Sequence, residues 1–364
     1  MSAPVQPYFS IIVPCYNVAR YLNDCVRSIR SQAFQDWECV LSVETSTDET
    51  LEKCQAVARQ DARFKVVEGP KSGSPATPRN RGLDIANGRY ICWVDGDDLL
   101  ADDILGRMQI ELEKYGEPDV LQGAAPEYLE DERGHRTFVT RHFNFHPSGL
   151  NRIWTGEQVM IAFSRSPRYI LPMATLSVCR ADFLRKHELT FQPGLKYEDN
   201  EWTARVLTFA TSFLPLDADI YVYRRRGGSI TTDKSVGTDF AQYAEVVRSI
   251  FLFFASQSLS RPLSQAWARR YLSFFFDLYF SDSYPVGPRG FSAREWCACL
   301  HRILENGGWR AYLKLTRFAG ALKKCAVPFV LLCGITPILD WPAKVFFRRV
   351  YYPLGLWSFR RRHA

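Results

Sequence analysis

The hydrophobic positions of the first hundred residues switch repeatedly between two spacings. "FSIIVP" (residues 9–14) is an unbroken apolar run of the kind buried in a parallel sheet. Leu22, Cys25, Val26 and Ile29 then recur at helical spacing. "ECVLSV" (38–43) predicts a second strand, and Ser46 with Glu49 stands in capping-box register before a helix whose face carries Leu51, Cys54 and Val57. "FKVVEG" (64–69) predicts a third strand. Pro78 suits the first turn of the next helix and Gly88 its C-cap, after which "RYICWVD" predicts a fourth strand. Such alternation implies right-handed crossovers and an α/β fold with a doubly wound, mostly parallel sheet.

The middle is less regular. Residues 116–150 are loop-rich, with a hairpin expected about Arg133-Gly134, and Thr155 with Gln158 forms a second capping-box pattern. From about 238 to 285 the pattern is helical and aromatic, as a packed core requires. The 364 residues exceed the ~250–300 at which one hydrophobic core stops growing. We expect a catalytic domain over 1–235, a mainly α-helical region over 236–324 and a hydrophobic, basic tail over 325–364.

A hydrophobic content of 46% excludes disorder as the main state. The ten cysteines are scattered, with no CxxC pair and no zinc-like spacing, and read as buried hydrophobes in a reducing compartment. The N-terminus shows no basic segment followed by an apolar one, so a cytoplasmic location is expected. From residue 301 onward twelve Lys/Arg face two acids, a surplus of ten that leaves the first 300 residues at −3 within the overall +7. The basic character therefore belongs to the tail.

Ligands of open α/β sheets bind outside the carboxyl ends of the strands. Those ends carry Pro14-Cys15-Tyr16-Asn17, Glu44-Thr45-Ser46 and Asp95-Gly96-Asp97-Asp98, three sets expected to meet in one cleft. Mg²⁺ or Mn²⁺ is usually held by one or two carboxylates plus substrate phosphates, so the acidic cluster suits a metal–diphosphate. A solvated turn with Asp98 as helix cap has the same letters.

"IIVPCYN", "STDET", "RNRGLDIANGRYICWVDGDD" and the later "YEDNEW" occur in the order and approximate spacing of the family 2 glycosyltransferases of the GT-A fold, which the chain resembles. The resemblance implies that Pro14, Tyr16 and Asn17 border the nucleotide, with Tyr16 near the base. It implies that Glu44, where the family usually has Asp, accepts a hydrogen bond from a uracil N–H. Arg79 would face the phosphates or donor sugar, Asp95 would touch the ribose or donor sugar, and Asp97 would hold the divalent metal. The pair Glu198-Asp199 resembles the family's acid motif, with Asp199 as general base and Glu198 or Glu201 orienting it or binding acceptor. "YVYRRRGGSIT" (221–231) resembles the segment that closes over the pyrophosphate, which brings in Arg225, Arg226 and Ser229; Arg226 stands where some relatives have a metal-binding His.

These features point to an inverting, metal-dependent transfer of one sugar from a nucleotide diphosphate sugar, a UDP-sugar first, to a glycan or lipid-linked oligosaccharide. "QAWARRY" (265–271) has the letters of the processive synthases' Q-x-x-R-W motif but not their order, which favours single-sugar addition. Nucleotidyl transfer and a non-catalytic, membrane-attached glycan-binding or scaffold protein are the alternatives. The tail sets Trp and Tyr beside Arg and Lys, which suits peripheral contact with the cytoplasmic face of a membrane. No nucleic-acid-binding module accompanies the charge, so nucleic acid is not an expected partner.

Overall fold

Strands that read as continuous apolar runs occupy the centre of the sheet, where both faces are covered. The computed structural model describes residues 6–131, 134–142, 150, 152–165, 172–225, 236–267 and 270. β1 (Phe9–Cys15), α1 (Leu22–Arg30), β2 (Trp37–Glu44), α2 (Thr50–Gln60), β3 (Phe64–Gly69), α3 (Ala76–Ile85) and β4 (Tyr90–Trp93) follow the alternation read from the sequence. The four strands lie in the order β3-β2-β1-β4 with parallel pairing throughout.

Beyond β4 the sheet becomes mixed. The chain continues through β5 (Leu99–Leu100), α4 (Ile104–Lys114), β6 (Val120–Glu130), β7 (Arg136–His142), α5 (Gly156–Arg165), β8 (Ser177–Arg180), α6 (Ala181–Lys186), α7 (Glu198–Phe209), β9 (Phe213–Asp219) and β10 (Tyr221–Arg225). β8 inserts between β4 and β6, antiparallel to both, and β6 pairs in parallel with β9 and β10. The insertion brings the later half of the chain beside the strand that leads into Asp95.

Contacts divide the chain into two compact units, Met1–Val159 with Arg168–Asp233, and Met160–Pro167 with Lys234–Ala364. The sheet belongs to the first. In the second, α8 (Val236–Ser256) and α9 (Arg261–Trp267) bring the rings of Phe254 and Trp267 to 4.3 Å. Among the described residues no helix is long and apolar enough to cross a membrane. The tail over 325–364 lies outside the described residues.

Two expected caps are replaced by other chemistry. Ser46 is too early to cap α2: its hydroxyl donates to the Glu44 carbonyl at 2.9 Å, and the Asp48 carboxylate accepts the Thr50 N–H at 3.1 Å instead. Gly88 closes no helix, since α3 ends at Ala86 in extended backbone. Its lack of a side chain serves close approach: a Cβ there would stand 2.4 Å from the Ser10 nitrogen. By contrast, Thr155 and Gln158 form their box reciprocally, at 3.0 and 3.2 Å, and Gly134 takes positive φ in the β6–β7 turn.

The Gly88 approach is fastened by one buried carboxylate. Ser10 Oγ accepts the Gly88 N–H at 2.7 Å and donates to Glu38 at 2.6 Å, while Glu38 also takes the Asn87 N–H at 2.6 Å and Lys65 Nζ at 2.5 Å. Burial alone would raise the Glu38 carboxyl, but the bonds from Lys65, Ser10 and Asn87 outweigh it and hold it below its ordinary value. Glu38→Gln is expected to cost about 1–3 kcal/mol at neutral pH in urea unfolding. Because the folded value is depressed, the Glu38 contribution is present above the unfolded pKa and is lost as pH falls through the folded one, so the deficit of the variant should shrink in acid.

Candidate functional site

The three strand ends meet as the pattern predicted. Asn17 sits in left-handed backbone, donates its N–H to Ser46 Oγ at 3.2 Å and accepts the Thr47 N–H on its side chain at 2.8 Å. Val18 N–H reaches Thr50 Oγ1 at 2.9 Å, and Ala19 N–H reaches Asp48 at 3.0 Å. The loop after β1 is thus laced to the loop after β2. At the third end, a Cβ on Gly96 would lie 3.1 Å from the Pro14 carbonyl, so glycine lets the aspartate turn close on β1.

Tyr16 is half-buried, with Lys71 Nζ 4.7 Å from its ring centroid. Glu44 is buried and accepts both the N–H of Ser72, at 3.1 Å, and its hydroxyl. The loop after β3 therefore engages both residues expected near the base. In the sequence Lys71 and Ser72 carry no sign of these contacts, since "PKSGSPAT" has only a loop signal.

Arg79, expected to face the phosphates or donor sugar, is 2% exposed in the first two turns of α3. Its guanidinium donates to Asp95 at 2.8 Å, to Glu198 at 2.6 Å and to Asp199 at 3.0 Å. One cation thus joins the expected donor-contact acid to the expected base pair. Asp199 accepts a further bond on its other oxygen from the Ala174 N–H, at 3.1 Å, and keeps 22% of its side chain exposed.

Local sequence brings the acid pair there. Phe191 stacks on Trp202 at 4.8 Å, and Trp93 meets both rings edge-on at 5.0 and 6.1 Å. Asn80, next to Arg79 on α3, exchanges two hydrogen bonds with the Phe191 backbone at 2.7 and 2.8 Å. Tyr197 takes φ +65° at the head of α7, an uncommon conformation that turns the chain abruptly into Glu198. Glu201 does not join the cluster; it is buried and paired with Arg205 at 2.8 Å along α7.

Asp95 and Asp97 are half-buried at the tip of the turn, whereas Asp98 is buried and caps no helix, since α4 starts at Ile104 behind Asp103. Among the described residues no group of three His, Cys, Asp or Glu side chains could hold a metal ion. The acids fit a hard cation only in the mode where the bound diphosphate supplies the remaining oxygens. Arg225 ends β10 with its side chain half exposed, 3.6 Å from Glu127. Arg226 and Ser229 lie outside the described residues.

Glu198 and Asp199 are adjacent and share one guanidinium, so the two do not ionise independently. Burial, then the Asp199 charge, pushes Glu198 up to about 8 against the pull of Arg79. Burial also raises Asp199, opposed by Arg79 and the Ala174 N–H. Between its unfolded value and about 8, the folded state holds a proton on Glu198 that the unfolded chain lacks, so stability falls as pH rises. Glu198→Gln mimics the protonated form. Its melting temperature is expected to gain on that of the wild type from about pH 6 to about pH 9 in thermal unfolding, and a constant difference would refute the protonated Glu198.

Residues 10–169 match the family model described as Glycosyl transferase family 2. The chain is 29% identical to the glycosyltransferase GlyG of Streptococcus pneumoniae over 222 residues, which is 61% of this chain and 72% of GlyG. It is 26% identical to the poly(ribitol-phosphate) β-N-acetylglucosaminyltransferase TarS of Staphylococcus aureus over 281 residues, 76% of this chain but only 44% of TarS. The crystal structure of TarS 1–349 in complex with UDP-GlcNAc superposes with a TM-score of 0.69 at 21% identity, covering 93% of this chain and 91% of that one. At that identity the likeness speaks for the fold, a curled mixed sheet clothed in helices. Residues 10–169 are thus similar to the glycosyl transferases of family 2, and the chain has the GT-A fold.

Proposed function

We propose that the protein transfers one sugar from a UDP-linked donor, with inversion at the anomeric carbon, to a hydroxyl of a glycan or lipid-linked oligosaccharide. The observation that carries this reading is the Arg79 clamp, which holds Asp95 at one end of the site and Asp199 at the other. Donor and base must flank one reacting carbon, and a single guanidinium spanning both acids sets that spacing. The UDP-GlcNAc complex of TarS supports a uridine nucleotide.

In this reading Asp199 accepts the proton of the attacking hydroxyl. Its raised pKa makes it a stronger base than an ordinary aspartate, and its two anchors, Arg79 and the Ala174 N–H, fix its direction. Glu198 accepts a hydrogen bond from the same guanidinium and so helps to fix its position beside the base. Asp97, with Asp95 beside it, would hold Mg²⁺ or Mn²⁺, whose charge offsets that growing on the departing diphosphate. Arg225 would contribute a second cation on the same side. Tyr16 offers a ring to the base, and Lys71 would be displaced from it by the stacked nucleotide.

Asp199→Asn is expected to lower turnover by at least about 10³-fold while leaving the thermal stabilisation by UDP and Mn²⁺ unchanged. Retained turnover would remove Asp199 as base, and no metal-dependent stabilisation of the wild type by any nucleotide diphosphate would remove the donor reading. The basic, aromatic tail would attach the enzyme to an anionic membrane surface, where a lipid-linked acceptor resides. The full chain should float with anionic liposomes and a chain ending at Lys324 should not.

A further inference from the structure

Arg224, Arg225 and Arg226 follow one another, and strand geometry sends neighbours to opposite faces. One phase of β10 buries Arg224 and offers Arg225; a slip of one residue would exchange them. In the structure Arg224 is the inner residue. It is 4% exposed, its guanidinium pairs with Asp24 at 3.2 Å, and it lies 5.1 Å from the Tyr21 ring centroid.

Few backbone rungs hold that phase. The ladder of β10 with β5 has two residue pairs, and its ladder with β6 has three. Asp98, immediately before β5, extends the first ladder with a side chain. Its Oδ1 accepts the Arg224 N–H at 2.6 Å, as a strand carbonyl would, and its Oδ2 accepts the Tyr221 hydroxyl. The same hydroxyl receives the Asp95 N–H at 3.4 Å, so the acidic turn and β10 are tied at both ends of one carboxylate. Asp98 is 2% exposed, and each of its oxygens accepts a hydrogen bond from β10.

We propose that Asp98 is a positioning residue: it pins the phase of β10 so that Arg224 is buried and Arg225, half exposed and 3.6 Å from Glu127, is the arginine available to a donor diphosphate. The inference rests on the donor reading given above. It also separates the acids of the motif by task, since Asp97 would meet the metal from outside while Asp98 works from beneath.

A double-mutant cycle on the donor KM tests it with wild type, Asp98→Ala, Arg225→Ala and the double variant. Arg225→Ala should raise the donor KM about tenfold in the wild-type background and less than about twofold in the Asp98→Ala background, with the acceptor KM unmoved. Asp98→Asn, which can still accept the Arg224 N–H and can donate to the Tyr221 oxygen, should restore the donor KM to within about threefold of wild type. An Arg225 effect that is equal in both backgrounds overturns the proposal, as does an Asp98→Asn variant as impaired as Asp98→Ala. If Asp98→Ala does not fold, Tyr221→Phe replaces it in the cycle and should weaken the Arg225 effect in part. A wild type that binds no nucleotide diphosphate would sink the donor reading itself, whereas normal UDP binding with an inert Arg225→Ala would sink only the placement of Arg225.

Discussion

A guanidinium withdrawn from water has to be surrounded by acceptors, and Arg79 imposes that condition on the whole catalytic end of the sheet. Three carboxylates answer it, from the end of β4 and from the first turn of α7. For them to arrive, β8 must enter beside β4 and the chain must bend sharply at Tyr197. The Trp93, Phe191 and Trp202 rings and the Asn80–Phe191 backbone exchange hold that bend in place. Apolar packing thus supplies the rigidity, and the cation supplies the reason for the geometry.

The surroundings of the acid pair divide two similar groups into different states. Glu198 is almost fully enclosed and takes up a proton, while Asp199 keeps a partly open oxygen and a backbone donor. Three acids crowd the first turn of α7, where the free N–H groups of the helix favour negative charge. The helix terminus and Arg79 together make tolerable a density of carboxylates that would otherwise repel one another.

Much of the first half was legible because strands buried on both faces are mostly apolar, as β1 and β2 are apart from Ser10, Glu38, Ser42 and Glu44. The strand-end clustering followed from the same topology. What the sequence concealed were roles set by distant partners. Gly88 looks like a helix stop until Ser10 is placed against it. Arg79 looks like a helix-surface cation until Glu198 and Asp199 come to it from 119 and 120 residues away. Asp98 reads as a cap, and nothing in three consecutive arginines says which one turns inward. β8, four residues long, carries no periodic signal that would announce its place in the sheet.

That separation along the chain has a kinetic consequence. During synthesis α3 and β4 emerge first, with Arg79 and Asp95 able to meet across 16 residues, well before α7 exists. Local contacts form early and distant ones late, because a long loop must be closed before its contacts repay the entropy. Much of the sheet can therefore be assembled while the Arg79 cluster is still half built, with its cation only partly neutralised. The cluster is completed only when α7 docks and brings Glu198 and Asp199 to Arg79 together.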